Sequence, residues 1–309
     1  MITRSPKRAM EYGAGILAAI VVAGGVYLYL RPTQNSRMDV RTHHAMVPAA
    51  FSRTAPARVE QVTGNARQAL GRGVPRGMVY VPAGWFWMGC GLKNGCGGDE
   101  KPYHRVYLDA YFIDKNDVTV DEYGQCVSTG GCMEPPRVEG CNYGVKGRGD
   151  HPINCVFWDQ ANTYCRWAGK RLPTEAQWEK AARGTDGRIY PWGNKFSPHN
   201  SCNSLSPYSQ RHHTCAVGSH PKDKSPYGVM DMAGNVYNWC SDWYDANYYA
   251  DSPDHDPQGP DKGTYHVLRG GSWLNCNPTY LRWSSRSNNA VPTYWFDDNG
   301  FRCVRRATR

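Results

Sequence analysis

The residues best equipped for chemistry in this chain of 309 are its 12 cysteines. A thiolate is a nucleophile and a soft-metal ligand, whereas two thiols can also close a disulfide, and spacing helps to tell these apart. No two of the cysteines form a C-x2-C pair, which sets a zinc ribbon or finger aside. They are even in number, and several stand close together, the pattern of covalent staples made in an oxidising compartment. Cys90 and Cys96 enclose a glycine-rich loop, and Cys126 and Cys132 bracket a Ser-Thr-Gly-Gly turn. The histidines are scattered. His212 and His213 lie in a polar stretch, and His255 sits among Asp251, Asp254, Asp256 and Asp261. That acidic loop could hold a cation or simply be solvated. No nucleophile elbow, H-E-x-x-H helix or phosphate-binding glycine loop occurs.

These residues need a frame, and residues 225–286 carry most of it: SPYGVMDMAGNVYNWCSDWY, a polar loop, then LRGGSWLNCNPTYLRWSSRS. Gly234-Asn235 and Gly270-Gly271 are strong turn signals, and Val267, Leu268 and Arg269 read as a strand running into the second turn. Large aromatics between the turns suit a chain held by loops and buried rings. Upstream, residues 78–82, 105–108 and 111–113 read as strands, and residues 118–123 lead into a helix. Residues 156–169 place Phe157, Ala161, Tyr164, Cys165 and Ala168 at helical spacing. Thr174, with Gln177 three residues on, is a capping box for a helix continued by Ala181 and Ala182.

The length allows one large or two small domains, and 11 Trp with 20 Tyr supply an aromatic core. The formal charge of +9 is spread along the chain, with no arginine-rich helix and no basic run interleaved with aromatics. Nucleic acid is therefore not an expected partner. Arg4, Lys7 and Arg8 precede an uncharged apolar run over residues 12–30, long enough to cross a bilayer. The expected layout is a cytoplasmic tail (1–11), a transmembrane signal-anchor helix (12–30), a polar linker (31–76) with a helical turn near 59–70, and a domain (77–309). A cleaved secretory signal is the other reading of the same run. Both export the domain, as the cysteines also require. The expected address is the bacterial inner membrane, single-pass, with the C-terminal domain in the periplasm.

VPAGWFWMG (81–89), YCRWAGKRLPTEAQWEKAARG (164–184), YPWGN (190–194), SPYGVMDMAGNVYNW (225–239), LRGGSW (268–273) and NGFRCV (299–304) resemble, in order, the formylglycine-generating enzyme (sulfatase-modifying factor) family. The resemblance covers about residues 78–306. It implies an α+β fold, a single C-type-lectin-like domain with little regular secondary structure. Active members hold Cu(I) between two nearby cysteines after the RGGS turn and oxidise a substrate cysteine; linear coordination of a soft cation takes two thiolates. Here the turn is residues 269–272, and only Cys276 follows, one place off register, in a segment that looks two residues shorter. Copper is accordingly not an expected cofactor. No catalytic residue is assigned, Ser272 and Cys276 being the nearest positions.

The resemblance further implies a Cys165–Cys303 disulfide. The partners of a second family linkage fall on Ala182 and Trp283, lost together. The remaining cysteines are expected to pair as Cys90–Cys96, Cys126–Cys132, Cys141–Cys155, Cys202–Cys215 and Cys240–Cys276, a connectivity that spacing does not prove. The family carries structural calcium, which implies oxygen ligands from Asp231, the carbonyls of Gly234 and Val236, and Asn238. A second family site keeps Asn203 but no matching carboxylate, so the Cys202–Cys215 bridge is expected to brace that loop instead. Trp273, Tyr280, Trp283, Tyr294 and Trp295 are candidates to line the groove that holds an extended peptide in active relatives. The leading expectation is a non-catalytic domain that binds or braces another membrane or periplasmic protein, itself anchored by its own helix. The alternative is a metal-dependent oxidase acting on a protein or peptide.

Overall fold

Alternation shapes the first hairpin. Strand β2 (Gly84–Met88) buries Phe86 and Met88 while Trp85 and Trp87 face outward, and it pairs antiparallel with β3 (His104–Leu108), which buries Val106 and Leu108. The computed structural model describes residues 73–205, 213–288 and 293–307. Strand β1 (Met78–Val81) pairs with β4 (Tyr111–Asp114), and β4 pairs with β9 (Val304–Arg306), so the two ends of the domain meet in one antiparallel sheet. A second sheet has the order β7 (Arg286–Ser287), β6 (His266–Arg269), β5 (Tyr237–Trp243) and β8 (Asn299–Gly300), with β5 and β8 parallel.

The main helices follow their caps. Helix α1 (Val120–Ser128) starts at Thr119, whose side chain pairs reciprocally with Glu122. Helix α2 (Trp158–Trp167) buries Ala161, Tyr164 and Cys165, the face read from the spacing. Helix α3 (Glu175–Arg183) starts at the Thr174 and Gln177 capping box, and all of its residues are buried. A short α4 (Tyr248–Asp251) follows β5. One core packs α3 residues Trp178, Ala181 and Ala182 with Val81, Phe86, Val106 and Ile113. A second gathers Tyr123, Ala161, Tyr164, Trp239 and Phe301.

Being wholly buried, α3 must pair its charges, because an isolated ion in the interior is far costlier than a paired one. Glu175 meets Arg286 at 2.7 Å, and Glu179 meets Arg183 at 2.7 Å and Arg269 at 2.5 Å. Lys180 donates to the carbonyls of Pro82 and Gly84 at 2.9 and 2.8 Å. Burial of that ammonium lowers its pKa to about 8.

Five disulfides form: Cys90–Cys96, Cys126–Cys132, Cys141–Cys155, Cys165–Cys303 and Cys202–Cys215. The expected Cys240–Cys276 bond is corrected. Both are free thiols, Cys240 buried and Cys276 exposed. Cys240 is the residue of β5 that joins the first core, whereas Cys276 lies in the loop that leaves the RGGS turn. Among the described residues no helix is long and apolar enough to cross a membrane. The apolar run at 12–30 and the helical turn near 59–70 lie outside the described residues.

Candidate functional site

The site begins where β6 runs out. Gly270 and Gly271 follow it with φ of 97° and 72°, in the left-handed region that glycine tolerates. A Cβ on Gly271 would stand 2.8 Å from Asn275 Oδ1, the Leu281 side chain and the Tyr280 carbonyl. The tight turn turns Ser272 toward Asp298: the Ser272 hydroxyl donates to Asp298 Oδ2 at 2.8 Å. Ser272 N donates to Asn275 Oδ1 at 2.7 Å, and Leu274 N donates to the Ser272 hydroxyl at 3.3 Å. Asp298 is tied down by its own carbonyl, which accepts from Tyr237 N at 2.8 Å. Burial raises the Asp298 carboxyl to about 6, against the opposing hydrogen bond from Ser272.

Behind the turn, Arg269 is wholly buried and stitches the next segment to α3. Its guanidinium donates to the carbonyls of Ser284 and Ser285 at 3.1 and 2.9 Å and to Glu179. Glu179 also accepts from Gly89 N at 2.8 Å, which couples the first hairpin to the same arginine. Ser272 is therefore held from several sides. Asp298, which the sequence reading missed, had one signal: Asp297-Asp298 stands directly before the NGFRC run.

The groove candidates separate. Tyr280 and Tyr294 are exposed at 48% and 57%, and Trp295 is half-buried, so these can meet a ligand. Trp273 is buried, with its ring nitrogen donating to the Asp297 carbonyl at 3.3 Å. Trp283 leaves the groove for the core, where the Arg183 guanidinium stacks on it at 3.3 Å. Cys276 is exposed at the exit of the turn, followed by Asn277, which caps a short 3-10 turn over Pro278–Leu281.

A copper ion held as in the oxidases needs a second thiolate beside Cys276, and the donors present do not supply one. The other free thiol, Cys240, is wholly buried, and burial together with the charges of Asp242 and Glu175 pushes its pKa well above the ordinary range. The described residues hold one cluster of three cysteine, histidine or carboxylate groups within metal-binding reach: Cys90, Cys96 and Glu100. Its two sulfurs are joined to each other, and Glu100 is bound by Arg282 at 2.7 Å.

The expected calcium ligands also do not fit as they stand. Asn238 Oδ1 accepts from Trp178 Nε1 at 2.9 Å and Arg302 Nε at 2.7 Å, two groups that can only donate. This fixes the amide, whose nitrogen donates to Asp117 at 2.8 Å and to the Val236 carbonyl at 3.3 Å. Asn238 thus presents a donor to a carbonyl that a cation would claim. Asp231 accepts from Gly218 N at 2.7 Å. Gly234 could bear no side chain: with φ at 121°, a Cβ would lie 2.3 Å from the Cys202 carbonyl. Asn235 beside it exchanges hydrogen bonds with both backbone groups of Cys215, at 3.0 and 3.2 Å. Asn203 spends its amide on Pro198 and Ser201 and accepts from Leu205 N. His213 Nδ1 donates to the Thr214 carbonyl at 2.7 Å, while His255 packs on Trp85 and Tyr107.

Known proteins are similar to this chain in sequence and fold. The family model described as "Sulfatase-modifying factor enzyme 1-like domain" matches residues 66–307. The formylglycine-generating enzyme of Streptomyces coelicolor is 35% identical over 284 residues, spanning 75% of this chain and 90% of that protein. The "Inactive C-alpha-formylglycine-generating enzyme 2" of Bos taurus is 29% identical, spanning 78% of this chain and 91% of that one. Among solved structures, PvdO from Pseudomonas aeruginosa superposes with a TM-score of 0.65 at 28% identity, covering 74% of this chain and 94% of the other. The order of strands, the buried helix and the RGGS turn therefore have a family: this chain belongs to the sulfatase-modifying factor enzyme 1-like domain family.

Proposed function

We propose that this is a non-catalytic member of the family, an exported domain that binds or braces another membrane or periplasmic protein. One observation carries the reading: the only exposed free thiol, Cys276, has no second thiol to share a copper ion with, Cys240 being buried in the core. Membership alone does not decide the matter, because the relatives include both an enzyme and a protein named as inactive. Ser272 hydrogen-bonded to Asp298 makes no hydrolase either. A carboxylate that titrates near 6 is a weak base for an alcohol, and no histidine stands between them to take the proton.

What the turn can do is hold a partner. The fixed Ser272–Asp298 pair stands in segments that also carry the exposed rings of Tyr280 and Tyr294, aromatics of the kind enriched at protein interfaces. The apolar run at 12–30, preceded by positive charge, supports anchoring in the inner membrane with the domain outside, where disulfides persist. Anchoring would raise the effective concentration of a membrane-bound partner.

The test is copper loading of the full chain in detergent, followed by oxygen uptake with a cysteine-containing peptide. The expected result is less than stoichiometric copper and no uptake above that of free copper. One equivalent of Cu(I), lost in Cys276→Ser together with oxygen uptake, would restore the second reading, a metal-dependent oxidase. The identity to the Streptomyces enzyme and the exposure of Cys276 favour that reading.

A further inference from the structure

Every wholly buried arginine in the described part of the domain has a carboxylate. Arg183 and Arg269 share Glu179, Arg282 holds Glu100, Arg286 holds Glu175 and Arg302 holds Asp117. Arg171 breaks the pattern. It is half-buried, its guanidinium donates to the neighbouring Leu172 carbonyl at 3.1 Å, and among the described residues no carboxylate lies within ion-pair distance. The backbone explains how it is placed. Arg171 and Val304 exchange both hydrogen bonds, at 2.9 and 2.7 Å, which lays Arg171 against strand β9 two residues before Arg306.

Arg171, Arg305 and Arg306 line one cleft of about 1130 Å3, with Tyr80 and Tyr107 in its wall. Arg305 and Arg306 are exposed and likewise lack a carboxylate partner among the described residues. Burial and the positive charge of Arg306 lower the pKa of Arg171, outweighing the opposite pull of Asp242 and Asp256, neither of which reaches its guanidinium. Asp109 and Asp256 line the same cleft, Asp256 accepting from Asp109 N at 3.0 Å. The cleft has a cationic part and an acceptor part.

We propose that this cleft binds an acidic peptide segment, one carboxylate of which is clamped between Arg171 and Arg306 while its backbone amides reach the acceptors at Asp109 and Asp256. Guanidinium forks suit carboxylates, and the cleft is larger than the usual small-ligand range, so an extended occupant fits better than a single small anion. A peptide backbone has N–H groups to offer Asp109 and Asp256, whereas a polyphosphate chain has none. The cleft shares no lining residue with the turn at Ser272, and the proposal stands whether or not the reading of that turn survives.

The experiment is anisotropy with a labelled, acetylated and amidated hexaglutamate peptide, using the full chain in neutral detergent. The controls are a hexaglutamine peptide and competition by inorganic phosphate at matched ionic strength. Saturable binding of the glutamate peptide alone is expected, weakened at least tenfold in Arg306→Ala and in Arg171→Gln. Arg306 is exposed, so its variant keeps the fold, and an unchanged melting temperature checks this. Equal binding of the glutamine peptide, unaltered affinity in Arg306→Ala, or no binding at all overturns the proposal. Displacement by phosphate at the peptide's own concentration overturns it too, leaving an adventitious anion only.

Discussion

Single residues divide the sulfur of this domain into staples and remnants. Ten cysteines are bonded, and Cys276 alone of the two free thiols is open to reagent. A thiol-reactive dye should therefore label one site in the native protein and two after denaturation without reductant. Labelling of neither would show that Cys240 and Cys276 are bonded after all. Asp242 makes a second residue-level prediction. Burial and the charge of Glu175 raise its carboxyl from 3.8 to about 7, so the native state holds a proton that the unfolded state has already lost. Stability falls, by this group, as pH climbs from about 4 to 7, and it levels beyond. Asp242→Asn should flatten that slope and stabilise the protein at pH 8 by on the order of 1–3 kcal/mol. An unchanged urea midpoint across this range for both proteins would remove the argument. Asp298 contributes in the same direction up to about pH 6.

At the scale of elements, local signals were legible and distant partners were not. Thr174 and Gln177 announced α3 because a capping box is written within four residues, and the Thr174 hydroxyl does accept from Gln177 N at 3.2 Å. Thr174→Ala should cost about 1 kcal/mol in denaturant unfolding. The short-range cysteine pairs were legible for the same reason. The partners of α3 were hidden, since Glu175 meets Arg286 from 111 residues away and Glu179 meets Arg269 from 90. Cys240 and Cys276 misled because spacing says nothing of which side of β5 is core. The site was legible as far as Ser272 and Cys276; Asp298, reached across 26 residues, was not. Removing Glu179 leaves Arg183 without a carboxylate and Arg269 with Glu175 alone, at 3.3 Å, so Glu179→Ala should destabilise by about 3–5 kcal/mol. A loss under 1 kcal/mol would mean that water reaches this helix.

For the whole molecule, the family and its fold could be read because ordered motifs run from one end of the domain to the other. The lone Arg171 could not, since an absent partner leaves no trace in a sequence. The disulfides differ in what they restrain. In the chain-entropy model, closing a loop of the span between Cys165 and Cys303 (138 residues) contributes about 5 kcal/mol, and closing Cys90 to Cys96 about 2 kcal/mol. Replacing each pair by alanines should lower stability in that order, as read by guanidinium melts. Equal losses would show that strain or packing, not chain entropy, sets their worth.

The terminal strand has a consequence for how the protein is made. The sheet β1-β4-β9 needs residues 304–306, and the preceding Arg302 and Cys303 hold Asp117 and Cys165. A nascent chain therefore lacks the closing strand until residues 304–306 are made. Until Cys303 is made, Cys165 stands without its mate and is open to wrong pairing. Maturation of this domain waits on its closing strand, and an enzyme that reshuffles disulfides would be its natural midwife.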